Sequence, residues 1–350
     1  MIAFYVHHHG RGHLNRSAAV IEHLTVDALV MSSIDPGDTS LGSAAFVALP
    51  YDARDQDVLA DPTAGGALHW APRGSDLLRE RAALMTQVLE ENSVQLLVSD
   101  ASAETALLGR LCGVPVVSVR SHGKRTDRAH QLGYDVSAAL IAPFPEIFEP
   151  LDTPTHIRRR TFHCGFVTSS DQRRISRAAA RSSLGITHDA NVLLIVVGGG
   201  GSSFRPSTLP AICNALPGWV VVFAGKTSPM TEHERLRPLG WSDDIPSWMA
   251  AADVVAGHAG ANVVAEVASS GRPFICVAEE RPFGEQSDRM VRLGQIGAAT
   301  TRSSWPSPAE WAPAISAAME LGGERLHSLF DSGGAMRAAR WLERRHAGDF

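Results

Sequence analysis

The 350-residue chain has few cysteines, only four, at positions 112, 164, 213 and 276. They are far apart and form no C-x-x-C pair, so the spacing offers neither a redox motif nor a paired metal knuckle. Each sits in an apolar or strand-like context, which predicts buried free thiols. Long apolar runs are also missing: no stretch reaches the ~18 residues that a membrane-spanning helix needs. The N-terminus has no basic leader region, and its apolar run stops at Val6. The expectation is a cytoplasmic chain that does not span a membrane. Positive charge is scarce, with a net charge of −5, which argues against a nucleic-acid binder. The local exception is residues 158–181, with seven arginines and one acid. It reads as a solvated linker, with an acidic partner or a peripheral membrane contact as the other readings. No low-complexity tract occurs.

The hydrophobic fraction is 44%, ordinary for a globular protein. At roughly 150 residues per domain the length suggests two domains. Short apolar runs alternate with longer helical patterns. "IAFYV" (2–6), "ALVMSS" (28–33), "VQLLVSD" (94–100) and "VPVVSV" (114–119) read as strands. Helices are expected from near Leu14, over 77–92 and over 102–113. This rhythm implies parallel strands with helices on both faces. Four prolines and the arginine cluster interrupt it at 143–170, a linker composition. It then restarts: "NVLLIVVGGGG" (191–201) runs from a strand into a glycine loop, and further strands or helices follow at 219–225, 245–257, 262–271 and 273–280. Residues 334–345 read as a final amphipathic helix. The chain is expected to form two doubly wound α/β domains.

The stretch "YVHHHGRGHLNR" (5–16) lies at the end of the first strand, where open α/β sheets bind ligands. A metal reading would use His7, His8, His9 and His13. Neighbouring strand residues point to opposite faces, however, and no carboxylate or cysteine stands nearby in sequence. A dinucleotide reading would use Gly10 and Gly12, with Asp35 on a ribose, but Asn15 replaces the third glycine. In a third reading His13 is a general base, since histidine titrates near neutral pH. Asp100, closing another strand, would orient it. A histidine that merely caps a helix is the plain alternative.

The stretch 257–290, "GHAGANVVAEVASSGRPFICVAEERPFGEQSDRM", is more specific. It puts a glycine-containing loop after a strand and at a helix start, where N–H groups favour a diphosphate. His258 and Asn262 add side-chain donors. Glu266 lies one turn beyond Asn262, placed to accept both ribose hydroxyls. Glu285 and Gln286 could hydrogen-bond a sugar.

Here the sequence resembles a known family, the GT-B glycosyltransferases of the UDP-glycosyltransferase kind. It is similar in style to the family 28 enzymes that include the bacterial N-acetylglucosaminyltransferase completing lipid II. The residues that carry the likeness are His258-Ala259-Gly260, Glu266, Gly271-Arg272-Pro273, Glu285-Gln286 and Asp288. "GRGH" (10–13), Asp100, "GGGGSSF" (198–204) and "GWSDDIPSWMAAADVV" (240–255) extend it over most of the chain. Glu285 stands where the family more often has Asp or Gln.

The resemblance implies two Rossmann-like domains facing across a cleft. The N-terminal acceptor domain would span 1–165, with its linker at about 143–170. The donor domain would span 166–332, and a helix at 333–350 would return to the first domain. It implies a catalytic His13–Asp100 pair. Donor contacts fall on Gly12, Gly200, Gly201, Ser202, Ser203, Trp241, Ser242, His258, Ala259, Gly260, Ala261, Asn262, Glu266, Glu285 and Gln286. The expected activity is inverting, metal-independent transfer of a sugar from UDP or dTDP to a hydroxyl of a small-molecule, lipid or glycan acceptor. No cofactor is implied beyond the nucleotide-sugar co-substrate. A sugar-nucleotide epimerase and a non-catalytic nucleotide-sugar-binding protein are the alternatives.

Overall fold

The structure is a computed structural model that describes all residues except 9–10, 55–59, 169–174, 199, 227–231 and 243. The chain divides into two compact units: residues 1–170 with 333–350, and residues 171–332.

The first unit has strands β1 (Ile2–Tyr5), β2 (Ala28–Ser32), β3 (Ala45–Ala48), β4 (Leu96–Asp100), β5 (Val116–Val119), β6 (Ala139–Ala142) and β7 (Thr161–His163). Its helices are α1 (Arg11–Ile21), α2 (Asp76–Glu91), α3 (Ala103–Leu111), α4 (Arg128–Val136) and α5 (Thr155–Arg159). Among the described residues the strands form one parallel sheet in the order β3-β2-β1-β4-β5-β6-β7. β1 is buried along its whole length because helices cover both faces. Successive residues alternate between them. Ile2, Phe4 and Val6 pack with Leu14 of α1, while Ala3 and Tyr5 pack with Met85 of α2.

The second unit has β8 (Asn191–Val196), β9 (Trp219–Ala224), β10 (Leu236–Gly240), β11 (Val254–His258), β12 (Phe274–Val277) and β13 (Thr300–Arg302). Helices α6 (Arg177–Ser183), α7 (Leu209–Ala215), α8 (Ile245–Ala251), α9 (Ala261–Ser270), α10 (Glu285–Gln295), α11 (Trp311–Leu321) and α12 (Glu324–His327) surround them. This sheet is also parallel, in the order β10-β9-β8-β11-β12-β13. One face of β8 and β11 (Leu193, Ile195, Val254, Ala256) is sealed by Leu209 and Ile212 of α7 and by Trp311. The last helix, α13 (Gly334–His346), belongs to the first unit. Its Trp341 stacks on Phe162 of β7, and Arg337 donates to the Cys164 carbonyl at 2.6 Å. A side chain at position 334 would collide with the Phe166 carbonyl, so glycine starts that helix.

Each sheet reverses its strand order once: between β1 and β4 in the first unit, and between β8 and β11 in the second. The connections leave in opposite directions there, so a crevice opens at the carboxyl ends of the two strands. His13 and Asp100 follow or close β1 and β4. Ser202 and His258 follow or close β8 and β11.

The structure departs from the sequence expectations at several places. Residues 143–163 are not a linker: α5 and β7 lie there, and β7 pairs with β6. The prolines occupy positions that need no N–H, with Pro154 just before α5, while Phe148 and Ile157 are buried. Nor is the basic stretch uniformly solvated. Arg181 is buried and donates to the carbonyls of Thr187, His188, Ala190 and Ala251 and to Asp253, and Arg177 pairs with the same carboxylate. Residues 169–174 of that stretch fall outside the described residues. Cys112 is exposed, because it follows the last turn of α3 on the helix's outer side; the other three thiols are buried as expected. Helix α1 begins at Arg11, not near Leu14. Arg11 donates to the Pro36 carbonyl and the Thr39 hydroxyl, which pins the first turn to the loop after β2.

Candidate active site

In the first unit, α1 places His13 in its first turn and β4 ends on Asp100. The His13 Nδ1 stands 2.9 Å from Asp100 Oδ2. Arg16, one turn further along α1, donates to both carboxylate oxygens at 2.7 Å. Burial alone would raise the Asp100 carboxyl, but Arg16 and then His13 outweigh it and hold it well below the usual carboxylate range. An ionised Asp100 can only accept. Arg16 Nη2 also stands 3.1 Å from His13 Nδ1, but it donates to both Asp100 oxygens at the shorter 2.7 Å, so the His13–Asp100 contact is read with the ring proton on Nδ1 and Nε2 as the basic nitrogen. Ala101 follows at a φ of 59°, a left-handed turn that takes the chain from β4 toward α3. Gly12 lies one residue before His13 in the same turn.

The histidine run does not form a metal cluster among the described residues. His7 stacks on His8 with ring centroids 4.8 Å apart, and His8 packs edge-on against Tyr51 and lies 3.8 Å from Asp52. His9 and Gly10, the latter read as part of a tight turn, fall outside the described residues. A different trio, His69, Asp127 and His130, does bring metal-ligand types together. Its hydrogen bonding explains it without an ion. Arg125 can only donate, and it faces His130 Nε2 at 3.0 Å. The ring proton is therefore on Nδ1 and is donated to Asp127 at 2.6 Å. Burial, reinforced by Arg125, lowers this histidine to about 4, which keeps it neutral.

In the second unit, His258 closes β11 and is buried. Its Nε2 lies 2.9 Å from the Ser202 hydroxyl and 3.0 Å from Glu279 Oε1. The same Glu279 oxygen accepts from the Ser202 hydroxyl, the Ser203 N–H, the Ser203 hydroxyl and the Trp305 indole N–H, at 2.8–3.1 Å. Burial would raise the Glu279 carboxyl, but these donors, Trp305 foremost, bring it below its ordinary value. His258 is lowered by burial and further by Arg281, with Glu279 opposing. Glycine is required at position 201, whose φ is +87°. Gly200 precedes it on the exposed rim of the loop, and Gly199 falls outside the described residues.

Helix α9 starts after Gly260, whose missing side chain leaves the first N–H groups uncapped. Ala259 is fully buried, and its carbonyl accepts from Arg289. Ala261 and Asn262 form the first turn of α9. Glu266 lies one turn on, partly buried, with no hydrogen-bond or ion-pair partner among the described residues. Desolvation pushes its carboxyl up to about 7. Glu285 pairs with Arg289 at 3.0 Å. Gln286 is buried, and its Oε1 accepts from the Glu279 N–H at 3.0 Å, while its amide nitrogen has no hydrogen-bond acceptor among the described residues. Trp241 is 67% exposed beside the end of β10, and the Ser242 hydroxyl accepts from the Asp244 N–H.

Sequence reasoning missed Arg16, Glu279, Arg281 and Trp305. Arg16 was findable, since it lies three residues past His13 on one helix face. Glu279 closes a predicted strand, but nothing in the sequence separates it from Glu280. Trp305 reaches the site only through tertiary packing. Alanine at 279 would remove the shared acceptor of the part-buried Ser203 and Trp305 N–H groups, at about 1–3 kcal/mol each. Glu279→Ala should therefore lower the unfolding free energy by about 2–5 kcal/mol, read as a shifted denaturant midpoint with Trp fluorescence. An unchanged midpoint would show that the 202–203 loop does not depend on this carboxylate.

Comparison with known proteins places these features in a class. The glycosyltransferase family 28 C-terminal domain matches residues 223–302, the stretch holding His258, Glu266, Glu279, Glu285 and Gln286. The solved glycosyltransferase of kitacinnamycin superposes with a TM-score of 0.69 at 18% identity, covering 98% of each chain. The chain thus has the GT-B fold, with two Rossmann-like parallel-sheet units, and the family 28 match falls within the second. More particularly, it is similar to the UDP-N-acetylglucosamine–N-acetylmuramyl-(pentapeptide) pyrophosphoryl-undecaprenol N-acetylglucosamine transferase of Clavibacter sepedonicus, at 27% identity over 236 residues. That match covers 64% of this chain and 60% of the relative's length. MurG of Acinetobacter baumannii shares the fold with a TM-score of 0.58 at 16% identity, covering 97% of this chain and 94% of its own. Among the described residues no helix is long and apolar enough to cross a membrane.

Proposed function

We propose that the chain is a metal-independent, inverting glycosyltransferase. It moves a sugar from a uridine or thymidine diphosphate donor to an acceptor hydroxyl. The observation that carries this reading is the His13–Asp100 contact of 2.9 Å at the point where the first sheet reverses its strand order. A buried, permanently ionised carboxylate fixes the imidazole tautomer and stabilises the imidazolium that forms on proton uptake.

In the reaction, the acceptor oxygen bonds to the anomeric carbon as His13 Nε2 takes its proton. The bond from that carbon to the diphosphate oxygen breaks, and its electron pair leaves with the nucleotide. A single in-line displacement inverts the anomeric centre. The N–H groups at the start of α9 and the 200–203 loop receive the developing charge. The residues assigned to the donor are Gly12, Gly200, Gly201, Ser202, Ser203, Trp241, Ser242, His258, Ala259, Gly260, Ala261, Asn262, Glu266, Glu285 and Gln286. Trp241 is assigned to the base, Glu266 to the ribose, and Glu285 with the Gln286 amide to the sugar. The UDP-linked donor named for the Clavibacter relative supports this choice. Four free thiols support a reducing, cytoplasmic setting.

Calorimetric titration with UDP, dTDP, GDP and NAD tests the reading. UDP or dTDP should bind at least about tenfold more tightly than the other two, a difference of about 1.4 kcal/mol. Binding of NAD alone would overturn it and return residues 10–15 to the role of a dinucleotide loop.

A further inference from the structure

The mechanism above leaves one cation at the glycine loop without a task. Arg281 begins the turn that leads into α10. Its guanidinium donates to the Gly201 carbonyl at 2.6 Å and to the Glu280 carbonyl at 2.8 Å. Among the described residues no carboxylate pairs with it. Glu279, two residues away, gives its Oε1 to the serines, His258 and Trp305. The positive charge is therefore held in place by backbone oxygens, with no neutralising partner among the described residues.

The position is also built. A Cβ on Gly200 would come within 3.3 Å of the guanidinium, so the glycine loop passes directly against it. The turn carrying Arg281 includes Phe283 at a φ of 61°, a left-handed conformation that a bulky residue adopts only when the surroundings impose it. Contacts run from Arg281 to Gly201, and from neighbouring Ser202 to His258. Two residues beyond His258, Gly260 opens the uncapped start of α9.

We infer that Arg281 is a catalytic residue that binds the diphosphate of the donor and offsets the negative charge gained as the sugar leaves. The assignment rests on the donor reading above and deepens it. A planar guanidinium fits this role better than an ammonium, because it can keep a carbonyl contact with one nitrogen and face phosphate oxygens with another. Burial disfavours protonation of His258, and the charge of Arg281 adds to this against the opposing Glu279.

The test compares binding of UDP and uridine (or dTDP and thymidine, whichever diphosphate binds more tightly) to the unsubstituted protein, Arg281→Gln and Arg281→Lys. The Gln variant should lose about 10–100-fold in affinity for the diphosphate and leave nucleoside affinity unchanged, as expected for charge-assisted hydrogen bonds to phosphate alone. The Lys variant, which keeps the charge but not the fork, should recover part of the loss. Arg281 as a mere brace for the loop would weaken diphosphate and nucleoside equally, and that result overturns the assignment, as does no change in either. If the unsubstituted protein bound no nucleoside diphosphate at all, the donor reading itself would fail, and Arg281 with it. Normal diphosphate binding that ignores the Gln substitution would overturn Arg281 alone.

Discussion

Replacing His13 with alanine should lower sugar transfer by about 10²–10⁴-fold, the usual contribution of a general base, and leave nucleotide affinity unchanged. The expectation follows from where the ring sits. His13 is in the first unit, beside Asp100 and Arg16, whereas the residues assigned to the nucleotide, Gly12 apart, belong to the second unit. Loss of the imidazole therefore removes proton uptake without disturbing the donor site. Asp100→Asn provides the companion measurement. A carboxamide keeps the shape but breaks the ion pair with Arg16, and it can present an N–H to Nδ1 and so favour the wrong tautomer. Both variants should fall together in kcat with the donor KM held. Full activity in His13→Ala would end the base assignment.

The second large effect belongs to Glu266. Its carboxylate has no protein partner among the described residues and lies midway along α9. If it accepts two ribose hydroxyls, each bond to a charged acceptor contributes about 1.5–3 kcal/mol. Glu266→Ala should then weaken diphosphate binding by about 10²–10⁴-fold, measured by calorimetry.

The same group sets a pH dependence. In the free protein desolvation pushes it up to about 7, from an ordinary value of 4.5. A raised folded-state value means that its contribution to stability is fully present below 4.5 and is lost as pH rises through 7. Above that, the protein holds a desolvated, unpaired charge. Hydroxyl donors favour the ionised form, so nucleotide binding should pull the value down and release a proton near pH 6 to 7. Titrations in two buffers of different ionisation enthalpy would show the release, and Glu266→Gln would abolish it. Proton uptake in place of release would mean that the carboxyl binds as a donor and not as a ribose acceptor.

Much of this molecule was legible before folding. Continuous apolar runs of four to six residues, each followed by a helical period, require strands covered on both faces, and so predict parallel sheets. Glycines 200, 201 and 260 mark the turns that follow strands, with positive φ at Gly201, and Gly12 lies in the first turn of α1. His13, Asp100 and His258 were nameable for the same reason, since each closes or follows a recognisable strand, and Glu266 was nameable from its place one helical turn past Asn262. What misled was composition without context. The prolines and arginines of 143–163 look like a linker until Phe148 and Ile157 find a core and β7 finds β6 as its neighbour.

By itself, then, the sequence determined the two-unit α/β plan and the positions where chemistry could stand, since periodicity and glycine placement are local properties of the chain. Only tertiary structure decided which charges are compensated. Arg16 and His13 meet Asp100 across 84 and 87 residues, and Glu279 gathers Ser202, Ser203, His258 and Trp305 from separate segments. Glu266 and Arg281, by contrast, have no counter-charge among the described residues. Burial and pairing are sums over neighbours that are distant in sequence. The difference between a satisfied carboxylate and one waiting for a ligand therefore becomes visible only once the strands have set those neighbours in place.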